Sequence, residues 1–184
     1  MIAVHNVHER RFAAPDVQVG ALIDALASPD DRLWPSRWPA MRLDRPLQLG
    51  AVGGHGPIHY RVDTYEPGRR VHFTLRAPQG FDGFHGFEIE STAALQGTTL
   101  RHILHMNARG PAVLTWPIVF GPLHDALVED CLDAAARALG EIPRSKPWSL
   151  WVRMLRRGFR LLARGRGAGG ERRDDLKRGA RKAR

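Results

Sequence analysis

Three of the nine histidines in this 184-residue chain, His85, His102 and His124, fall where their side chains turn into an apolar interior. A neutral imidazole gives or takes a proton near pH 6.5. Beside a carbonyl-bearing molecule such a group acts as general acid or base, with Tyr60 placed to help polarise the carbonyl. Three converging imidazoles can also hold zinc, but no short His-x-x-x-His or Cys-x-x-Cys pair accompanies them; no metal and no cofactor is expected. A third reading is purely structural, with each ring hydrogen-bonded to a neighbour or to water.

The inward assignment rests on alternation. His85, Phe87 and Ile89 alternate with Gly86, Glu88 and Glu90, and Leu100, His102, Leu104 and Met106 alternate with Arg101, Ile103 and His105. Alternate residues of a strand share a face, so a histidine in phase with apolar neighbours goes where they go. Trp116, Phe120 and His124 recur every four residues, the spacing of one helix face. The resulting wall of Tyr60, Phe73, His85, Phe87, His102, Leu104, Trp116, Phe120 and His124 combines apolar area with a few orienting polar groups, as a small-molecule pocket does. Equally, aromatics at these spacings can fill a closed core. His5, His8, His59, His72 and His105 either alternate with inward residues or lie on a strand whose inward face the pattern does not fix, and they are expected at the surface.

The elements that carry these side chains are legible from the same patterns. Residues 2–12 read as a first strand, ending at Ala13-Ala14-Pro15. Asp16 can cap a short helix over 17–27. Trp34 and Trp38, in a proline-broken stretch, plug one end of the core as a second short helix or loop. The turn-rich stretch 50–57 is not a phosphate loop, since no Gly-Lys-Ser/Thr follows. Four alternating runs, from Ile58, Val71, His85 and Leu100, describe an antiparallel meander with one buried face. Its cover is a long helix from Gly121 to Gly140, with Leu123, Leu127, Val128, Cys131, Leu132, Ala135 and Leu139 on one face. Pro117 predicts a kink, or two collinear pieces, in the apolar run just before it. The single cysteine, Cys131, rules out an intrachain disulfide and reads as a small buried hydrophobe.

This order resembles the START-like superfamily, the helix-grip fold of polyketide cyclases/dehydrases, lipid-transfer domains and birch-pollen-type allergens. The residues that carry the likeness are Phe12-Ala13-Ala14-Pro15, Tyr65-Glu66-Pro67-Gly68-Arg69-Arg70-Val71, Gly83 to Ile89, and Trp116-Pro117 with Pro122 to Asp130. It covers residues 2–140. The resemblance implies an α+β fold in which a curved antiparallel sheet wraps a long C-terminal helix. It also implies a cavity for a hydrophobic, lipid- or polyketide-like molecule, either carried or transformed by cyclase/dehydrase-type chemistry.

Charge divides the chain. Residues 1–140 hold 13 Lys+Arg against 15 Asp+Glu, whereas residues 141–184 hold 15 against 4. The reading is a domain over 1–140, a proline-containing linker over 141–147, an amphipathic basic helix over 148–164 and a disordered basic tail over 165–184. Trp148, Trp151, Val152, Leu155, Phe159 and Leu162 fall on one helical face, and Arg153, Arg156, Arg157, Arg160 and Arg164 on the other. Such a helix suits the surface of an anionic bilayer, with Trp148, Trp151, Arg153, Leu155, Arg156, Arg157, Phe159 and Arg160 making the contact. Packing against the domain, or pairing with a second copy, are the alternatives. Nucleic acid is disfavoured, because no recognised motif accompanies the basic residues. With no signal-peptide pattern and no long apolar window, the expected location is cytoplasmic, peripheral to the inner membrane face if the tail binds there. The favoured function is binding of a hydrophobic small molecule. The alternatives are an enzyme using the interior histidines, and an interaction module with a filled core acting through its tail.

Overall fold

A computed structural model describes residues 1–91 and 97–161. Seven strands form one curved antiparallel sheet in the order β1-β7-β6-β5-β4-β3-β2. They are β1 (Ile2–Phe12), β2 (Arg42–Leu43), β3 (Val52–His55), β4 (Ile58–Glu66), β5 (Arg70–Ala77), β6 (Phe81–Ser91) and β7 (Thr98–Ala108). The four alternating runs are β4 to β7, and their apolar sets face inward: Tyr60, Val62, Val71, Phe73, Phe87 and Leu100 are all at most 2% exposed. β3 and β2 escape the pattern reading, since Gly53 and Gly54 remove the side chains that would alternate and β2 is only two residues long.

The first helix, α1 (Asp16–Asp24), is shorter than the expected 17–27, because Ala27 adopts φ 60 and turns the chain away. Asp16 does not cap it: Pro15 holds the cap position, and Asp16 Oδ1 instead accepts the Thr98 hydroxyl at 2.6 Å. α1 is pinned to the β4–β5 turn. Asp24 accepts the Gly68 N–H at 2.9 Å and the Tyr65 hydroxyl at 3.0 Å. A Cβ on Gly20 would stand 2.1 Å from the Gly68 carbonyl oxygen, so only glycine permits this approach. Residues 33–39 form turns rather than a helix, and their plug is Trp38, whose indole N–H donates to Asp130 Oδ2 at 2.7 Å.

The covering helix runs continuously through the prolines. α2 (Ala112–Thr115) passes into a π turn (Trp116–Phe120) and then α3 (Gly121–Ala138). The expected kink is thus a change of helical pitch: the wider i→i+5 turn accommodates Pro117, which lacks an N–H. Leu127, Val128, Cys131, Leu132 and Ala135 of α3 are buried.

The chain divides into two compact units, Met1–Lys146 and Pro147–Arg184. In the second, residues 150–161 form a helix, α4; Leu162, Arg164 and the expected disordered tail lie outside the described residues.

Candidate functional site

Register brings the histidines together. Across the sheet, His85 lies opposite Leu104 and Phe73, while His102 lies opposite Phe87 and His8. A two-residue diagonal offset between β6 and β7, which keeps both rings on one face, lets His85 Nδ1 and His102 Nε2 approach to 3.4 Å. The row extends both ways. The Tyr60 ring meets His85 edge-on at 5.1 Å and its hydroxyl stands 3.2 Å from His55 Nδ1, while His124 of α3 lies 5.0 Å from His102 between ring centres. Phe73 stacks on His85 at 5.4 Å, and Phe87 meets His102 edge-on at 4.8 Å.

Burial sets the charge state of this row. Loss of water pushes His85 and His102 well below the usual imidazole range, and neighbouring imidazoles push the same way. Burial, followed by the influence of His124 and His59, lowers His55 to about 3. These rings are therefore neutral at pH 7. Among the described residues, four ring nitrogens of this row have no hydrogen-bond partner: His85 Nε2, His102 Nδ1 and both nitrogens of His124.

His124 also touches a polar seam between β1 and α3. Asn6, His8 and Arg10 repeat every two residues along β1, and Asp125, Glu129 and Asp133 every four along α3. Two strand residues rise ~6.6 Å and four helix residues ~6 Å, so the two series stay in step. Asn6 donates to Asp125 at 2.9 Å, His8 Nδ1 meets Glu129 at 2.8 Å, and Arg10 donates to Glu129 at 3.1 Å and to Asp133 at 2.5 Å. His8, expected at the surface, is thus on the inward face with its side chain 17% exposed, and the bond to Asp125 leads in raising its pKa. His55, in the glycine-rich stretch, was not among the expected site residues. His72 is half-buried beside Phe84, whereas His5, His59 and His105 are exposed.

The residues expected to line a pocket are brought together, but as touching rings. Tyr60 and Phe73 are fully buried with ring centres 4.9 Å apart, and Phe87 and Leu104 are each 2% exposed. Phe81 bridges Trp116 and Phe120 at 5.9 and 5.1 Å, and Trp116 reaches His124 at 5.6 Å. Trp116 and Phe120 remain partly buried. A shallow hollow of about 490 Å³ lies elsewhere, along β2 and β3 beside Ala40, Val52, His55 and His59. In α4 the faces differ from expectation: Arg156 is buried with its guanidinium 4.0 Å over the Trp148 ring, Val152 is buried, and Leu150, Trp151, Met154 and Leu161 are exposed. Among the described residues no helix is long and apolar enough to cross a membrane.

No family model and no curated protein matches the chain. Solved structures do. A Thermobifida fusca protein determined by solution NMR superposes with a TM-score of 0.56 at 15% identity, covering 79% of this chain and 100% of its own. Norcoclaurine synthase from Thalictrum flavum, in complex with dopamine and hydroxybenzaldehyde, gives 0.56 at 13% identity, covering 79% and 90%. The protein Ara h 8.0201 gives 0.53 at 10% identity, covering 76% and 99%. The curved seven-stranded sheet closed by one long C-terminal helix is the helix-grip fold of the START-like superfamily, and this chain has that fold.

Proposed function

We propose that the chain binds a small, largely apolar molecule bearing hydroxyl or carbonyl oxygens between the sheet and α3. The observation that carries this reading is the set of unmatched nitrogens on His85, His102 and His124 within an aromatic interior. Each unmatched buried polar group costs about 1–3 kcal/mol, and an oxygen of a guest removes that cost. Norcoclaurine synthase, a protein of this fold, holds dopamine and hydroxybenzaldehyde, molecules with an aromatic body and polar rim. Because the interior rings touch, the guest displaces ring contacts, entering beside the partly buried Trp116 and Phe120.

The test is native mass spectrometry of the gently purified full chain, with NMR of imidazole nitrogens during addition of hydroxybenzaldehyde, dopamine and a fatty acid. A copurified molecule, or shifts at His85 and His102, supports the reading. If nothing copurifies and no probe moves either histidine, the reading fails. Acid–base chemistry on the guest is the second reading, favoured by the 3.4 Å approach of two neutral imidazoles, one of which can take a proton from the guest while the other gives its N–H proton to the guest.

A membrane role for the tail is a separate proposal, supported by exposed Leu150, Trp151, Met154 and Leu161 alongside Arg153, Arg157 and Arg160. Cosedimentation with anionic vesicles tests it. Full-length protein should pellet while a chain ending at Lys146 stays in solution, and equal behaviour of the two removes the claim.

A further inference from the structure

His8, His124 and Asp125 each offer one ligand atom, and the three atoms lie within 4.8 Å of one another. The arrangement of His8 is the informative part. Its Nδ1 is 2.8 Å from Glu129 Oε1, and with a neutral ring that nitrogen must carry the proton. The bare lone pair of Nε2 then points at Asp125 Oδ1, 3.3 Å away, where two electron-rich atoms face each other. Two things relieve such a contact: a second proton on the ring, or a cation shared by both atoms. His124 favours the cation, because its Nδ1 stands 3.5 Å from the same Asp125 oxygen, at the outer limit of a hydrogen bond. A second proton on His8 leaves that contact long, whereas a shared cation draws on all three atoms.

We propose that His8 Nε2, His124 Nδ1 and Asp125 bind a divalent transition-metal ion, zinc in the first instance. Bond lengths of ~2.0–2.2 Å in a tetrahedral zinc site place neighbouring ligand atoms ~3.3 Å apart; the two separations to Asp125 are 3.3 and 3.5 Å. The surroundings are those that a zinc-bound imidazole uses. Glu129 holds the distal nitrogen of His8 and fixes its tautomer, and Arg10 in turn holds Glu129 at 3.1 Å. Two histidines and a carboxylate leave a fourth position for water or another oxygen donor, as in zinc sites that keep an open position. The site does not depend on the proposed guest. The two readings share His124 alone: the metal takes its Nδ1 at the seam between β1 and α3, while the guest reading rests on His85, His102 and the remaining His124 nitrogen, Nε2.

The experiment is a titration of chelator-treated, full-length protein with zinc and with cobalt(II), followed by calorimetry and visible absorbance. One equivalent of cobalt should give the strong visible bands of a four-coordinate ion. His8→Gln and His124→Gln should each weaken zinc binding by more than ~100-fold, and Glu129→Gln by ~10–100-fold, the usual loss for an outer-shell partner. The His5→Gln/His105→Gln double variant, which removes an exposed pair of rings 4.1 Å apart on the opposite face of the sheet, should bind as the parent does. Circular dichroism identifies any variant that fails to fold. In that case the parent decides: one equivalent of zinc must shift the His8 and His124 ring nitrogens in NMR spectra. The site is disproved by absence of a one-equivalent binding phase, by unaltered affinity in folded His8→Gln, by loss of binding in the His5/His105 variant, or by zinc-induced shifts confined to His85 and His102.

Discussion

Arg10 Nη1 lies 2.5 Å from Asp133 Oδ1 with the two side chains only 9% and 6% exposed, so the β1–α3 seam ends in an ion pair largely closed to water. Removing Arg10 takes away the main partner of the Asp133 carboxylate and leaves its charge to the Ser145 hydroxyl and to Arg137 at 4.0 Å. Arg10→Met should destabilise the fold by about 3–5 kcal/mol, and Arg10→Met/Asp133→Leu should recover much of that loss. Urea unfolding of the three proteins measures it; a cost below about 1 kcal/mol in the single variant contradicts the reading.

The contact of α1 with the β4–β5 turn gives a backbone prediction. A methyl at Gly20 meets the Gly68 carbonyl oxygen at 2.1 Å, which the backbone relieves only by moving the helix off the turn. Gly20→Ala should lower stability by about 1–3 kcal/mol, the usual cost of overpacking, despite alanine's better helix propensity. A melting temperature equal to or above that of the parent overturns this.

Acid should weaken the protein through its interior histidines. His55 and His85 have folded-state pKa values below the unfolded value near 6.5, His55 at about 3. Their contribution is fully present above pH 6.5 and is lost as the pH falls from there toward the folded values, because the unfolded chain binds protons that the folded chain refuses. In that window each such group adds a slope approaching about 1.4 kcal/mol per pH unit. Unfolding free energies at pH 7, 6 and 5 should fall accordingly, and His85→Phe should flatten the slope. An unchanged slope in that variant removes His85 from the account.

Cys131 should behave as a reporter of unfolding. It is 1% exposed, and burial raises its thiol pKa well above the ordinary value, with Asp31 and Asp130 adding to the effect. The thiolate is the reactive form, so a disulfide reagent should label it only as denaturant opens the core. Rapid labelling of the native chain rejects this placement.

The fold was readable because its strongest signals are periodic. Tyr60 and Val62, Val71 and Phe73, and Leu100 with Leu104 mark strands by alternation, and Leu127 to Ala135 mark the helix by turns. The seam was hidden for the same reason. Alternation sends polar residues outward by default, and β1 turns Asn6, His8 and Arg10 toward the helix. The available signal was the matched acidic series at Asp125, Glu129 and Asp133, which becomes visible only when two distant segments are compared. His55 escaped because flanking glycines erase the pattern around it. Whether touching side chains enclose space is a matter of packing that periodicity does not encode, so the aromatic set was legible and its close contacts were not.

The π turn at Trp116–Phe120 works as a phase-setter for everything after it. Each residue of an α-helix rotates the chain by about 100°, so deleting one position there would swing Asp125, Glu129 and Asp133 away from β1 together and carry Leu127 and Val128 toward water. A segment that looks like a tolerated irregularity therefore fixes the length of the chain between Pro111 and Gly121. Natural variation in length should be found in the loops before β3, and should stop at the start of this helix.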